Sequence, residues 1–568
     1  MANIFKTIRV RRPRRHKFNL SHEVKLTCNI GDLVPVDWYE VVPGDEFSHR
    51  VESLVRFQAL LSPMMHRVDV FFHHFFVPNR LIWEEFEDFV TGGEDGQFIT
   101  TPPQIKYNKF IENDERYNKL TASTLLPGTL SDFLEVSTVG KDWYNTPDKW
   151  TEDLYASALP FRAYQLIYNE WYRDQNLQEE IEIDKSSNLT SNIKWISSND
   201  YIANPLLQLR KRNWAKDYFT SALPWTQRGG DVTLPLGGTA NVNYVNTPGL
   251  PTVMRNSNTG QVLDISGSPL PLNYGNGNKL YTGSTITDVD NSANLEVDLS
   301  SATGTTVNEL RRSIAIQQWL EKNARGGARY IEQILAHFGV MGKDSRLQRP
   351  QYLGGSKQPV SISEVVQNSA TGSGDTPQGN LSGKGLAVSY DNGYKRFFDE
   401  HGIVMTIMSI MPKANYQQGL PRKHQRRDKF DYYFPEFAHL GEQPIFKSEL
   451  FYDFTKPTNQ QQDSQSYDTA QPFGYTPRYA EYKTSLNRVH GDFKDSLGFW
   501  HMGRIFDNTP GLNGDFVQVD AKRDDLNRVF ATEGVTDAYG KEIDKIEVQI
   551  YHNIKAKRPM PVYGTPMI

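Results

Sequence analysis

The sequence predicts a mainly β protein, built as a sandwich or jelly roll with a few helices in long connections. The prediction depends on segments that alternate apolar and polar residues, on the turn-forming residues between them, and on loops of Greek-key length. The chain has 568 residues, of which 38% are hydrophobic and 12% aromatic, so it can bury a large core. Its 42 Gly and 31 Pro fit a chain with many turns.

The clearest predicted strand covers residues 18–30. Its apolar residues share one parity from Phe18 to Ile30, interrupted by His22, and the other parity is polar. This period-2 alternation is typical of a strand with one buried face. Cys28 is the single cysteine of the sequence and lies on the apolar face, so we expect a core residue rather than a nucleophile.

Two further strands are predicted over residues 50–61 and 66–77, the second ending at Pro78. Successive side chains of a strand point to opposite faces, so the adjacent His73 and His74 cannot both bind one metal ion. Apolar residues occupy both faces, which indicates a strand buried on both sides whose histidines are hydrogen-bonded in a buried or intersubunit wall. A pH-sensitive contact is the alternative for these imidazoles.

Helices are predicted in the connections. One covers residues 79–90 with Asn79 as N-cap, and another covers 160–173. Residues 306–323 form the most regular helical pattern, opened by the capping box of Thr306 and Glu309. Gly326 and Gly327 break it before a second helix, RYIEQILAHF, whereas the apolar run IVMTIMSIM over 403–411 favours a buried strand.

The domain organisation follows from shifts in composition. Residues 1–17 form a basic N-terminal arm, and residues 18–225 form the first part of the core with helical loops. Residues 226–305 are rich in Gly, Asn, Thr, Ser and Pro, which indicates an inserted, β-rich surface segment. Residues 306–568 form the second part of the core, with long loops and an extended C-terminus.

The basic arm is the candidate nucleic-acid-binding element. The net charge of the chain is −5, yet its first 20 residues carry seven basic residues and no acidic ones. A short basic arm on an acidic body suggests contact with a polyanion, and a solvated terminus is the alternative. The candidate contact residues are Lys6, Arg9, Arg11, Arg12, Arg14, Arg15 and Lys17.

The sequence contains no motif that predicts catalysis. A phosphate-binding loop, an H-E-x-x-H zinc motif and a G-x-S-x-G elbow are all missing, so we expect no enzyme activity, no cofactor and no metal site. No apolar run approaches the ~18–20 residues that span a bilayer, so no membrane insertion is expected. ARGGARY is interpreted as a helix break, and the basic clusters at 206–214 and 421–430 as solvated or intersubunit faces.

Several long segments resemble one known family. FFVPNRLIWEEFEDF, ALPFRAYQLIYNEWYRDQNL, DYFTSALPWTQRG, VNELRRSIAIQQWLEKNARGGARYIEQILAHFGV, DSRLQRPQYLGGS and the terminal RPMPVYGTP look like the major capsid protein of the Microviridae. The similar segments occur in the same order from about residue 18 to residue 568. The long insertion at 226–305 suggests the gokushovirus branch.

This resemblance implies a viral jelly roll, an eight-stranded antiparallel β-barrel or sandwich, that assembles with copies of itself into a small T=1 icosahedral shell. The shell would enclose the circular single-stranded DNA genome of a bacteriophage, and the insertion would form threefold protrusions that contact a bacterial surface receptor. A small basic internal protein, a DNA pilot protein and a scaffolding protein are further implied partners. The virion would be assembled in the bacterial cytoplasm.

Two other functions remain open from the sequence alone. A β-sandwich protein that binds or cleaves polysaccharide would need a pair of catalytic carboxylates and an aromatic groove, and no such pair is identifiable among the 67 acidic residues. A single-stranded DNA-binding module would need a basic body, whereas the body of this chain is acidic.

Overall fold

The computed structural model describes residues 13–95, 97–109, 114–139, 152–197, 200–230, 307–327, 329–341, 343–368, 378–390, 393–426, 428–454 and 471–563. It also describes Val232 and the backbone of six short strands between residues 241 and 298. Contacts divide the chain into two compact units. One unit is Gln227–Asn323, and the other consists of the residues on either side of it.

Eight strands of the larger unit form a jelly roll. In chain order they are β1 (His22–Cys28), β2 (Val34–Val41), β3 (Glu46–Phe57), β4 (Val68–Pro78), β5 (Gln351–Pro359), β6 (Leu381–Tyr390), β7 (Gly402–Pro412) and β8 (Ile546–Arg558). One sheet has the order β1-β8-β3-β6 and the other β2-β7-β4-β5, with every pair antiparallel. Successive strands alternate between the two sheets except β4 and β5, which pair within one sheet, as in a jelly roll. The predicted fold class is confirmed.

Further strands extend these sheets or lie in the connections. His16–Asn19 pairs with β8, Ser361–Val366 with β6 and Tyr394–Phe397 with β3, so they all widen the β1-β8-β3-β6 sheet. The connecting strands of the larger unit are Gln104–Tyr107, Leu154–Ser157, Thr190–Ser191, Ile193–Ser197, Asp200–Ala203, Glu442–Phe446 and Pro472–Pro477.

The described helices lie in the connections. Three of them are α1 (Leu159–Ile167), α2 (Val307–Gly326) and α3 (Tyr330–Phe338), and α1 continues as a π-helical turn over Tyr168–Tyr172. The other described α-helices are Phe86–Thr91, Glu115–Ser123, Leu130–Phe133, Lys447–Leu450, Ala480–Lys483 and Gly514–Val517. The break predicted between α2 and α3 is confirmed, because α2 ends at Gly326 and Gly327 has a positive φ of 99°. Thr306 of the predicted capping box lies outside the described residues.

The described strands of the smaller unit form two antiparallel sheets. Asn241–Tyr244 pairs with Leu295–Asp298, and a second sheet has the order Arg255–Asn256, Thr285–Asp288, Lys279–Thr282, Leu272–Gly275. All of these pairs are antiparallel. The unit also takes in most of α2, whereas the insertion predicted from composition ends at residue 305.

The two sheets pack face to face around the main core. Val51, Val55 and Ile550 of one sheet contact a cluster that includes Phe72 and Ile410 of the other, all almost fully buried. Cys28 belongs to this cluster, and burial raises the pKa of its thiol well above its usual value. The prediction that Cys28 is a core residue is therefore confirmed.

The β2-β7-β4-β5 sheet is buried on both faces. All eleven residues of β7 are buried, which confirms the buried strand predicted over 403–411. Phe75 and Met405 point away from the main core. They pack against Trp83, Phe161 and Tyr164, which belong to the connection between β4 and β5, called the covering connection below. The connection between β4 and β5 therefore covers the outer face of this sheet.

The paired histidines of β4 lie on opposite faces of the strand, as predicted. His74 is fully buried, and its Nδ1 hydrogen-bonds the Thr406 hydroxyl at 2.9 Å. His73 faces the covering connection, where its Nδ1 hydrogen-bonds the Tyr172 hydroxyl at 2.7 Å. Both are structural residues of a strand buried on both sides.

Two predicted elements differ from the structure. The strand predicted over 18–30 is interrupted at Leu20, because the Asn19 side chain accepts a hydrogen bond from the Ser21 amide at 3.2 Å, although both halves keep one register with β8. The helix predicted over 79–90 is wrong. A 3₁₀ turn over Asn79–Leu81 is followed by a helix from Phe86, and Asn79 does not act as N-cap.

The physical reason for the second difference is burial of neighbouring residues. Ile82 and Trp83 are both fully buried, and the Trp83 indole donates to the Ser187 hydroxyl at 2.8 Å. A continuous helix would turn adjacent side chains about 100° apart, so the chain leaves the helical path to bury both.

A glycine at the edge of the barrel provides a test of this packing. Gly393 has a φ of 66°, and a Cβ there would lie 1.9 Å from the His49 carbonyl oxygen. Gly379 also has a positive φ, 85°, but a Cβ there would meet no atom within 4 Å. We expect Gly379→Ala to lower the free energy of unfolding by about 1–2 kcal/mol, the cost of the left-handed backbone alone. Gly393→Ala should lower it by about 4 kcal/mol or more, because backbone must also move.

Urea unfolding of the unassembled subunit measures both changes. Equal decreases in the two variants would contradict the close approach of Gly393 to β3.

Candidate nucleic-acid interface

In the described part of the chain, the outer face of the β1-β8-β3-β6 sheet is the open face of the jelly roll. Along β3 and β8 buried and exposed residues alternate, so one face packs in the core and the other lies at the surface. The outward positions of this sheet, including the three strands that widen it, carry eight basic and four acidic side chains. The face is therefore basic although the chain as a whole is acidic.

The basic residues concentrate at one end of the face, where two rows of paired residues cross four strands. One row is Lys17, Lys557, Glu46 and Phe397, and the next is Asn19, Lys555, Ser48 and Lys395. Paired residues of antiparallel strands lie side by side on the same face. These eight positions together with Arg15 are called the basic end below.

Glu46 is the acidic residue of the basic end, and cations surround it. Lys395 Nζ lies 3.1 Å from Glu46 Oε1, and an Arg15 guanidinium nitrogen lies 3.7 Å from Oε2. The hydrogen bond from Lys395 lowers the pKa of Glu46, and the charges of Lys557 and Arg15 act in the same direction. One carboxylate thus faces several cations, so the basic end keeps an excess of positive charge.

Exposed aromatic rings accompany the cations. Phe397 lies within the basic end and is 52% exposed, with the Arg15 guanidinium 5.7 Å from its ring centre. Tyr551 and Tyr390 flank Glu52 in a row further along the same face, and Tyr390 is 72% exposed. Cations interleaved with exposed rings can contact phosphates and stack on bases without reading a sequence.

The structure brings together part of the predicted basic arm. Lys17 lies in the strand beside β8, and Arg15 contacts Phe397 and Glu46. Arg14 is exposed next to them. The other predicted contact residues lie outside the described residues: Lys6, Arg9, Arg11 and Arg12.

Sequence reasoning missed the cations that the fold brings to this arm. Lys555 and Lys557 occur at alternating positions of the last strand, a pattern that places both on one face. Lys395 comes from a short strand more than 150 residues earlier in the chain. Phe18, next to Lys17 in the sequence, pairs with the buried Ala556 on the inner side of the sheet.

The other two basic clusters serve the fold of the subunit. Arg212 donates to the Ser409 hydroxyl at 2.8 Å with its guanidinium 4.1 Å from the Phe71 ring centre, and Lys211 pairs with Asp520 at 2.9 Å. Arg422 donates to the Pro444 carbonyl at 2.6 Å. These residues contact neighbouring parts of their own chain, so they are not simply solvated, and an intersubunit role for the two clusters stays a prediction.

Comparison with known proteins identifies the family of this chain. Residues 6–568 match the family described as Capsid protein (F protein). The chain belongs to this family.

Individual relatives agree with the family match. "Capsid protein VP1" of Chlamydia phage 1 is 35% identical over 616 residues, covering 100% of this chain and 98% of the relative. The proteins of the same name from Bdellovibrio phage phiMH2K and Spiroplasma virus 4 are 32% and 30% identical, each covering 97% of this chain and 95% of the relative.

The chain is thus a major capsid protein of the microvirus type, as the resemblance implied, and its role in the virion is structural. Among the helices that the structure describes, none is long and apolar enough to cross a membrane.

Proposed function

We propose that copies of this capsid protein assemble into a small icosahedral shell around circular single-stranded DNA, with the basic end of the open sheet facing the genome. The asymmetry of the two sheets is the observation that carries this proposal. One sheet is covered on its outer face by the chain itself, whereas the other leaves a basic, aromatic face open. A shell protein that meets a polyanion on one side needs such an arrangement.

The surface of α3 and the residues after it supports assembly through contacts between copies. Tyr330, Phe338 and Met341 are 72%, 79% and 76% exposed, and Val340 is also exposed. Clustered exposed apolar side chains are costly in water and mark interaction surfaces. Many modest interfaces of this kind, repeated by symmetry, are sufficient to hold a closed shell.

Assembly of the purified protein tests the structural role directly. We expect sedimentation and electron microscopy to show uniform icosahedral particles. Phe338→Lys should reduce the yield of particles at least tenfold while the subunit stays folded, because a charge replaces an apolar side chain in the interface. Thr536→Lys, at an exposed position outside α3, is the matched control and should assemble normally.

The opposite outcome is a persistent monomer or dimer. If such a monomer or dimer also cleaved polysaccharide, the function of this chain would be that of a β-sandwich enzyme and not that of a shell protein.

The interaction with the genome can be measured from the salt dependence of DNA binding. For single strands the magnitude of the slope of log K against log salt falls by about 0.7 for each phosphate that the protein no longer neutralises. We expect Lys395→Gln, Lys555→Gln and Lys557→Gln together to reduce this magnitude by about 2. Neutralising Arg9, Arg11, Arg12, Arg14 and Arg15 of the arm should reduce it further and lower the DNA content of particles.

The matched control carries Lys343→Gln, Lys494→Gln and Lys522→Gln, three exposed lysines outside the open sheet face. An equal reduction of the slope in this control would show that total charge, rather than the basic end, determines DNA binding.

We further propose that residues 226–305 form protrusions at the threefold axes that contact a receptor on the bacterial surface. Their polar composition and their membership of a separate compact unit support this role. Deleting residues 230–300 should leave a folded body and intact particles but reduce attachment to host cells at least tenfold. Failure of the remaining body to fold would show that this segment belongs to the core.

Assembly in the bacterial cytoplasm, with a scaffolding protein, a DNA pilot protein and a small basic internal protein as partners, completes the proposed function. Cytoplasmic assembly agrees with a chain whose single cysteine, Cys28, is buried and cannot form an intrachain disulfide. The exposed α3 surface and the open sheet face are the candidate surfaces for these partners. Co-purification of each partner with assembling particles tests this proposal. Retention of all three partners by particles in which both surfaces have been altered would contradict it.

A further inference from the structure

Three side chains converge at the edge of the jelly roll where the two sheets meet. β1 is an edge strand of one sheet and β2 is an edge strand of the other. His22 of β1 lies directly opposite His552 of β8, and their rings stack with centres 5.1 Å apart. Asp37 of β2 faces both rings from the other sheet, so the cluster connects the two sheets.

The donor atoms of this cluster are close together. His22 Nε2 lies 3.6 Å from Asp37 Oδ1, and His552 Nδ1 lies 3.6 Å from Asp37 Oδ2. One ligand atom from each residue lies within 4.8 Å of the other two. Zn²⁺ bonds of about 2.0–2.1 Å place tetrahedral ligands about 3.3 Å apart, so small side-chain rotations would close the set.

The hydrogen bond made by His22 prepares its other nitrogen for a cation. His22 Nδ1 lies 3.0 Å from the Leu20 carbonyl oxygen, which can accept only a hydrogen bond, so Nδ1 carries the proton. Nε2 then presents its lone pair toward the Asp37 carboxylate. Metal-binding histidines usually donate their second N–H to a backbone carbonyl in this manner.

Asp37 supplies the second, independent observation. It is only 8% exposed, and its Oδ2 is buried with no hydrogen-bond partner in the described part of the chain. Burial raises the pKa of Asp37 to about 7, the charge of His22 lowers it, and the charge of Glu135 raises it. A buried carboxylate oxygen of this kind lacks a compensating cation.

A third imidazole and an access route complete the surroundings. His49 Nε2 lies 3.9 Å from Asp37 Oδ2 and is hydrogen-bonded to His552 Nδ1 at 3.0 Å. An ion bound at His552 Nδ1 would replace this hydrogen bond and leave His49 as a further imidazole beside the set. Asp37 also lines a cleft of about 950 Å³ that opens between β1 and β2. Solvent therefore reaches the cluster through Asp37 in this cleft and through His22, whose side chain is 43% exposed.

We propose that His22, Asp37 and His552 bind one divalent transition-metal ion of the Zn²⁺ class and that this ion joins the two sheets at their open edge. Two imidazoles and one carboxylate form a donor set that Zn²⁺ accepts, with a further position left for water. The expectation of no metal site came from the lack of a metal-binding motif, and no motif can contain these three ligands because they are 15 and 515 residues apart along the chain. The fold, not a motif, brings them together.

A proton is the competing occupant, since a protonated His22 would form an ion pair with Asp37. The two occupants differ in stoichiometry and in spectrum. We expect particles stripped with a chelator to bind about one Co²⁺ per chain, with the intense visible absorption of a tetrahedral site, and Zn²⁺ to displace it.

His22→Ala and Asp37→Asn should each weaken Co²⁺ binding at least tenfold, the size of effect expected for removal of a ligand or its support. His490→Ala, which removes an exposed histidine outside the cluster, is the matched control and should bind like the original protein. His22→Gln is a second variant at the same half-exposed position. Its amide side chain preserves the size of the residue, so the fold should be retained while the imidazole is lost.

Absence of tetrahedral Co²⁺ absorption would overturn the proposal and leave the ion pair as the role of the cluster. Binding that His22→Ala, His22→Gln and Asp37→Asn all leave unchanged would overturn it as well, because the ion would then lie elsewhere on the surface.

Discussion

Pairing of the last strand with the first ones is the constraint on which the remaining structure depends. Ile546–Arg558 lies between β1 and β3 and pairs with residues more than 480 positions earlier in the chain. This pairing closes the sheet, completes the main core and aligns Lys555 and Lys557 with Lys17. Long connections are tolerated because loop-closure entropy rises only slowly with length.

The two sheets have different surroundings, and this difference connects the fold to its function. β7 is buried along its whole length because the connection between β4 and β5 covers its sheet. The opposite sheet keeps an outer face with charged and aromatic side chains. A subunit built in this way has one side thickened by its own loops and one side available to a polyanion.

The parts of the structure that the sequence alone could predict are those that depend on local patterns of apolar residues and glycines. Alternation identified the strand around Val24, an apolar run ending at Pro78 identified the one around Phe72, and the Gly326-Gly327 break located the end of α2. The helix predicted to begin at Asn79 is wrong because burial of Ile82 and Trp83 in the tertiary structure overrides the helical spacing of apolar residues. Of the candidate site, the basic arm was visible in the sequence, whereas Lys395 joins it only through strand pairing. The His22 cluster was hidden for the same reason.

The orientation of the open sheet in the assembled shell is the central claim of this account. A cryo-electron microscopy map of DNA-filled particles tests it most directly. We predict that the basic end lines the interior and that genome density contacts Lys17, Lys555 and Lys557 in most subunits. A basic end on the outer surface of the particle, or one buried by a neighbouring subunit, would contradict it.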